Sequence, residues 1–443
     1  MAAAKARNGF PILDGAYPII GHLPEMYRRF PALCARGLAA HGPLFWIHGG
    51  PGAPQLMFAD PRAFDILKHP NASTSFYSEG FSALLGNTLF AFDGDEHRRV
   101  RAQFAPSFTP AAIRKTDVLQ IVTEAVAGGI DRWIDAGEID PLIGAKEIAL
   151  EIIFRVVGVP VSDLKSWRRQ YSRFLLAGIP SRGKWRGPLY WIAKRARDWL
   201  DARLGKMVDD LRASGDASTL VGAMANARDE AGNFLPTLLV VSNLRLLVFA
   251  GHETTASAMA WSALHLAASP EFQRRAAEEV RGSGDLIELG TDPQRFTFAE
   301  AQFRESLRMY PPVHSVIRRA TADLPVDGAG VIPRDTLVNV PFVHLMRDPS
   351  RFAEADRYSP DRFTERPRPS TLETAMFGGG PHFCLGYHIA IAEGTLFNLH
   401  FAKAMVRRGV RARLSVDGPL PGPVYLPLSH PPRGLAVTFE GGK

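Results

Sequence analysis

Residues 237–268 carry a long helical pattern that is apolar on most sides and nearly free of charge. A helix of that kind is covered on every face, so it is expected to run through the centre of the molecule. Apolar positions recur at helical spacing over most of residues 95–268, with breaks expected at Pro106, Pro110, Pro160 and Pro180. Upstream, residues 26–41 read as a helix, and 43–49 and 55–59 as two strands about the Gly49-Gly50-Pro51-Gly52 turn. Pro61 is expected to open a short helix with Asp60 as its N-cap. Residues 71–93 show no clear period and read as a loop. Their Phe76, Tyr77, Phe81, Leu84, Leu85, Leu89 and Phe92 must cover either the core or a ligand. Strand patterns near 316–321, 324–332 and 336–341 follow, and a last helical pattern runs from Tyr387 to about Phe401. The balance predicts a mainly α fold with a small β region (α+β).

A chain of 443 residues suggests two or three domains. No linker, repeat or low-complexity tract divides it, so one domain over 1–443 is expected. Its parts are a Pro/Gly-rich lead-in over 1–25, sheet residues in 43–60, a helical core over 95–310 and a mixed region over 311–443. The net charge of +7 is spread along the chain without a basic run interleaved with aromatics, which argues against nucleic acid. Two cysteines far apart fit a reducing compartment, and a cytoplasmic location is expected. No apolar run reaches the length of a membrane span, and Met1–Arg7 lacks the apolar core of a secretory signal. Cys34 lies in an amphipathic stretch and reads as a core residue.

The other cysteine carries the chemistry. Phe377-Gly378-Gly379-Gly380-Pro381-His382-Phe383-Cys384-Leu385-Gly386 places Cys384 in a glycine-rich loop directly before a helix. Unpaired N–H groups and the helix dipole there should favour a thiolate. The loop matches F-G-x-G-x-H-x-C-x-G, and on it the chain resembles the cytochrome P450 superfamily, in its soluble bacterial form. The resemblance covers nearly the whole chain. It implies the P450 fold, with a long central helix over a haem and Cys384 as axial ligand of the haem iron. Phe377 is then expected to shield the sulfur or the haem.

Three further stations occur in the family's order. Ala250-Gly251-His252-Glu253-Thr254-Thr255 fits [A/G]-G-x-[D/E]-T-T inside the long helix. The resemblance makes Ala250 and Gly251 the oxygen groove, with Gly251 leaving room above the iron. Thr254 and Glu253 become the catalytic pair that binds dioxygen and feeds protons. Glu305 and Arg308 form E-x-x-R just before Tyr310-Pro311-Pro312. The same spacing recurs at Glu96/Arg99, Glu271/Arg274, Glu278/Arg281, Glu354/Arg357 and Glu365/Arg368, so context alone selects the copy at 305. With Arg362 of Pro360-Asp361-Arg362-Phe363 it is expected to form a buried cluster holding the cysteine loop. His97 and Arg101 share a helix face. With His382 and Arg318 (preferred over Arg319) they are expected to hold the haem propionates, His314 being an extra candidate. Arg98 and Arg99 would then face a redox partner.

The implied activity is that of a haem-thiolate monooxygenase, inserting one oxygen atom of O2 into an apolar organic substrate by hydroxylation or epoxidation, with secondary metabolism as a setting. The implied cofactor is haem b (iron protoporphyrin IX). No Rossmann fingerprint, flavin domain or Fe–S cysteine set is present, so electrons must pass from NAD(P)H through a reductase and a ferredoxin or flavodoxin. The alternatives are a P450-fold isomerase, dehydratase or peroxygenase, and a haem-binding sensor without turnover. The substrate pocket is expected at Phe76, Phe81, Leu85, Leu246, Phe249 and Val313. The basic loop with Arg182, Lys184 and Arg186 reads as surface, or as a contact for an acidic substrate or an acidic carrier protein bearing it. A monomer is expected.

Overall fold

The computed structural model describes residues 6–50, 54–178, 187–284, 286–289, 295–364, 374–416 and 418–441, with no side-chain description at 80–84, 177 and 178. Arg182, Lys184, Arg186, Glu365, Arg368 and the tip of the Gly49–Gly52 turn lie outside the described residues, as does the side chain of Phe81.

The principal helices are α1 (Phe30–His41), α2 (Ser75–Leu85), α3 (Gly94–Phe104), α4 (Val118–Ala136), α5 (Pro141–Val156), α6 (Leu164–Phe174), α7 (Pro188–Ser214), α8 (Thr237–Ala268), α9 (Thr297–Met309) and α10 (Tyr387–Arg408). The 32-residue α8 is about 48 Å long. Its second half, Thr255 to Ala267, is buried almost without interruption and packs on α5, α7, α9 and α10. The charge-free sequence demands that setting, since each exposed face would leave apolar surface in water. The main core joins residues from Leu85 to Val437.

A five-stranded sheet lies beside this core. Its strands are β1 (Leu44–His48), β2 (Pro54–Phe58), β3 (Ala72–Ser73), β4 (Val316–Ala320) and β5 (Leu337–Val340), in the spatial order β1-β2-β5-β4-β3. Only the β2–β5 pair is parallel, with Leu56 opposite Val338. The 324–332 pattern is a hairpin of two short strands, Leu324–Val326 and Gly330–Ile332. Cys34 is fully buried against Phe30, Phe45 and Tyr425, as a core residue should be.

Two expectations are corrected. Residues 71–93 are not a loop throughout, because α2 occupies eleven of them. Asp60 does not cap a helix at Pro61; the helical turn is Ala63–Ile66, and Asp60 instead accepts from the Arg62 backbone N–H at 2.9 Å in an Asx turn.

Candidate active site

The cysteine loop makes two 3-10 turns, Ala375–Phe377 and Gly380–His382, before α10 opens at Tyr387 with Gly386 as N-cap. Gly380 has φ +59°, and a Cβ there would lie 2.7 Å from the Leu67 carbonyl oxygen. Only glycine lets the loop rest this closely on the chain after the Ala63–Ile66 turn. The Cys384 N–H donates to Phe377 O at 2.8 Å, tying the cysteine to the phenylalanine seven residues earlier. The Phe377 ring is half-buried and meets Tyr387 edge-on at 4.8 Å.

Cys384 is exposed by accessible surface, on a loop with packed protein around it. Burial pushes the thiol pKa up, while a backbone hydrogen bond from Gly386 and the charge of Arg101 pull it down. Without a metal, burial outweighs both, although the N–H of Gly386 at the helix N-cap does reach the sulfur and favours the thiolate. A coordinating metal cation reverses that balance and deprotonates the thiol outright.

Cationic and imidazole groups gather about this sulfur. On α3, His97 is 2% exposed and its ring lies 4.0 Å from that of His382. Burial, then His382 and Arg101, depress the His97 pKa to about 4. His382 Nε2 lies 3.2 Å from Asp93 Oδ1. Burial would raise the Asp93 pKa, but hydrogen bonds from His382, Ser73 and Thr74 hold it below the usual value. On β4, side chains alternate between faces. Arg319 turns to Glu79 at 2.7 Å, whereas Arg318 is 4% exposed, donates to Ile317 O at 3.1 Å and feels the charge of Asp93; among the described residues no carboxylate lies within ion-pair distance of it and its Nε has no partner. Burial lowers the Arg318 pKa. His314 packs instead on Phe30 and Tyr425, in the cluster around Cys34. Arg98 and Arg99 are exposed, and Arg98 pairs with Asp95.

In α8, Thr254 Oγ1 donates back to Ala250 O at 2.6 Å, the local bond that bends helices at such threonines. Ala250 is the one exposed position between Leu239 and Ala267 of this helix, and Phe249 and Leu246 are half-buried near it. Glu253 is committed to Lys146 of α5, 2.7 Å from its Nζ, with His252 Nδ1 at 3.8 Å. Gly251 departs from expectation. A Cβ there would meet Ile153 of α5 at 3.1 Å, so this glycine admits the neighbouring helix rather than leaving open space.

Glu305 and Arg308 are both fully buried and share two hydrogen bonds of 2.8 Å. Arg308 also donates to Met346 O and Ala355 O, and Arg362 Nε reaches Glu305 at 3.2 Å. Burying these charges is tolerable because every partner is in place. Of the expected pocket residues, Phe76 and Val313 are half-buried, but Leu85 is 2% exposed and belongs to the main core. Its apolarity serves packing, not an open cavity.

Among the described residues no three metal-ligating side chains cluster. The residues fit a haem by their chemistry: Cys384 offers a soft sulfur for iron, and His97, Arg101, His382 and the buried Arg318 would hold two propionates.

Comparison with known proteins agrees. Residues 186–401 match the family described as Cytochrome P450. The chain is 33% identical to the Cytochrome P450 BJ-4 homolog of Sinorhizobium fredii, over 98% of this chain and 97% of that one. It is 27% identical to cyclooctat-9-en-7-ol 5-monooxygenase of Streptomyces melanosporofaciens, covering 86% of each. Among solved structures it superposes on retinoic acid-bound cyanobacterial CYP120A1 with a TM-score of 0.82 and 22% identity, over 98% of this chain and 100% of the other. The fold is that of the cytochromes P450. This chain belongs to the cytochrome P450 family, and it is a monooxygenase of that family.

Four participants escaped the sequence reading. Lys146 and Asp93 carry no local signal, since their partners lie on other elements. Arg245 and Asn243 did carry one: a lone cation and an amide inside an apolar helix are costly unless they have a task.

Proposed function

We propose that this monooxygenase inserts one oxygen atom of O2 into an apolar organic substrate held beside Ala250, with haem b ligated by Cys384. The observation that carries this reading is the His97 ring against His382 and the charge of Arg101 beside Cys384, with the buried Arg318 near Asp93, which holds His382. When bound, the haem supplies the iron chemistry that activates dioxygen. The rest falls to the chain. Arg318, Arg101, His97 and His382 hold the propionates. Phe377 and its backbone bond to Cys384 keep water from the sulfur. Thr254 donates a hydrogen bond in the groove beside Ala250, and Glu253 supplies protons to it through water. Leu246, Phe249, Phe76 and Val313 present apolar surface to the substrate, with Phe81 five residues after Phe76 in the chain.

Electrons come from NAD(P)H through a ferredoxin or flavodoxin and its reductase, docking near Arg98 and Arg99. Among the described residues no helix is long and apolar enough to cross a membrane. The test is a screen of the ferric protein for a substrate-induced spin shift, using terpenes, fatty acids and other apolar compounds, each free and tethered to a carrier protein. A Cys384→Ser control should lose the thiolate haem signature. Survival of that signature in the control would overturn the ligand assignment.

A further inference from the structure

The central helix carries a buried arginine that the oxygen chemistry does not use. Arg245 is 1% exposed. Its Nη1 pairs with Asp201 of α7, and its Nη2 donates to the Leu85 carbonyl at the end of α2 at 2.8 Å. Two residues earlier, Asn243 (2% exposed) accepts the Leu89 N–H at 3.0 Å and donates to Leu239 O in its own helix. Gly86, between the two fastened positions, has φ +68°, and a Cβ there would lie 3.5 Å from Arg245 Nη2. Asp201 also faces Arg197 of its own helix at 3.5 Å.

Three elements therefore meet at one buried point: the 85–89 segment, α7 and α8. Arg245 lies five residues before Ala250, about 7 Å along the helix axis, and one turn before Phe249. The fastened segment continues through Phe92 to Asp93, which holds His382. Apolar contacts alone would let these elements slide past one another. A charged fork with fixed geometry does not, because leaving Arg245 buried without Asp201 and Leu85 O would cost both of those hydrogen bonds at once.

We propose that Arg245 is a positioning residue that sets the opening of the substrate groove: with Asn243 it clips residues 85–89 and α7 to α8, so that bulky ligands enter only when the Arg245–Asp201 contact breaks. This rests on the monooxygenase reading of the groove.

The test compares association rates of imidazole and of clotrimazole with the ferric haem protein, together with amide deuterium uptake over 85–92 and 387–408. Arg245→Gln removes the cation. Asp201→Asn keeps the shape and removes the anion, should the first variant fold poorly. The expected result for either is clotrimazole association at least tenfold faster, imidazole within twofold, and higher uptake over 85–92 with 387–408 unchanged. Equal changes for both azoles, or unchanged uptake over 85–92, would overturn the proposal. A wild-type protein that binds no azole through its iron would sink the monooxygenase reading instead, and the deuterium comparison would still decide the clip.

Discussion

In the role proposed for it, Glu253 would work with one carboxylate oxygen already held by Lys146 at 2.7 Å. Thr254 is likewise engaged, with its hydroxyl turned back on Ala250 O. In the proposed roles the two substitutions part company. Thr254→Ala should keep consuming NAD(P)H while releasing hydrogen peroxide in place of product, read by the ratio of product to NAD(P)H oxidised; full coupling would remove Thr254 from the role. Glu253→Gln should lower turnover about 10²–10⁴-fold, the usual worth of a positioned acid or base, with the substrate-induced spin shift unchanged. At this scale the sequence is legible where a side chain works within its own motif or strand parity. The buried Glu305/Arg308 pair is of that kind. It is not legible where the partner is remote, as with Lys146 and Glu253 or Asp93 and His382.

The same contrast holds among helices. At 100° per residue, Phe76, Tyr77, Phe81, Leu84 and Leu85 fall on one half of a wheel, with Ser75, Ser78, Glu79 and Ser82 on the other. The amphipathic period of α2 was present but drowned in the aperiodic residues on either side. Helix interiors also hide which glycines are structural. In α10, a Cβ at Gly394 would lie 2.2 Å from the buried ring of Phe303 on α9, whereas at Gly205 of α7 nothing lies within 4 Å. The two alanine substitutions should therefore differ in sign. Gly205→Ala should stabilise by about 0.5–1 kcal/mol through helix propensity. Gly394→Ala should destabilise by about 1–3 kcal/mol through overpacking. Denaturant midpoints of the two variants measure both.

For the whole molecule, buried titratable groups set opposite limits on pH. Burial holds His252 and His314 at about 4 and His265 at about 3. In the unfolded chain these charge near 6.5, so between about pH 6.5 and 4 the unfolded state binds more protons and stability rises with pH. Glu393 of α10 acts the other way. Burial raises it to about 8 from an ordinary 4.5, so it is neutral when folded, and stability falls as pH climbs through that range. Denaturation midpoints should peak near pH 6.5, where the histidine contribution is complete and the glutamate loss is still partial. Glu393→Gln should remove the alkaline limb, and its advantage over the natural chain should grow between pH 6 and 8. An advantage that does not change with pH would show Glu393 to be charged in the fold.

The parallel pairing of β2 with β5 sets a timetable for making the protein. Leu56 and Val338 are 282 residues apart. At about 5–20 residues per second, a ribosome needs roughly 15–60 s to deliver the second strand after the first. Through that interval the open side of β2 has no neighbour, and its unpaired backbone is a template for other nascent chains. Any product that stops before residue 337 keeps that edge for good. Slow elongation and premature termination are thus the points at which this fold is exposed to aggregation, before the cysteine loop has been synthesised at all.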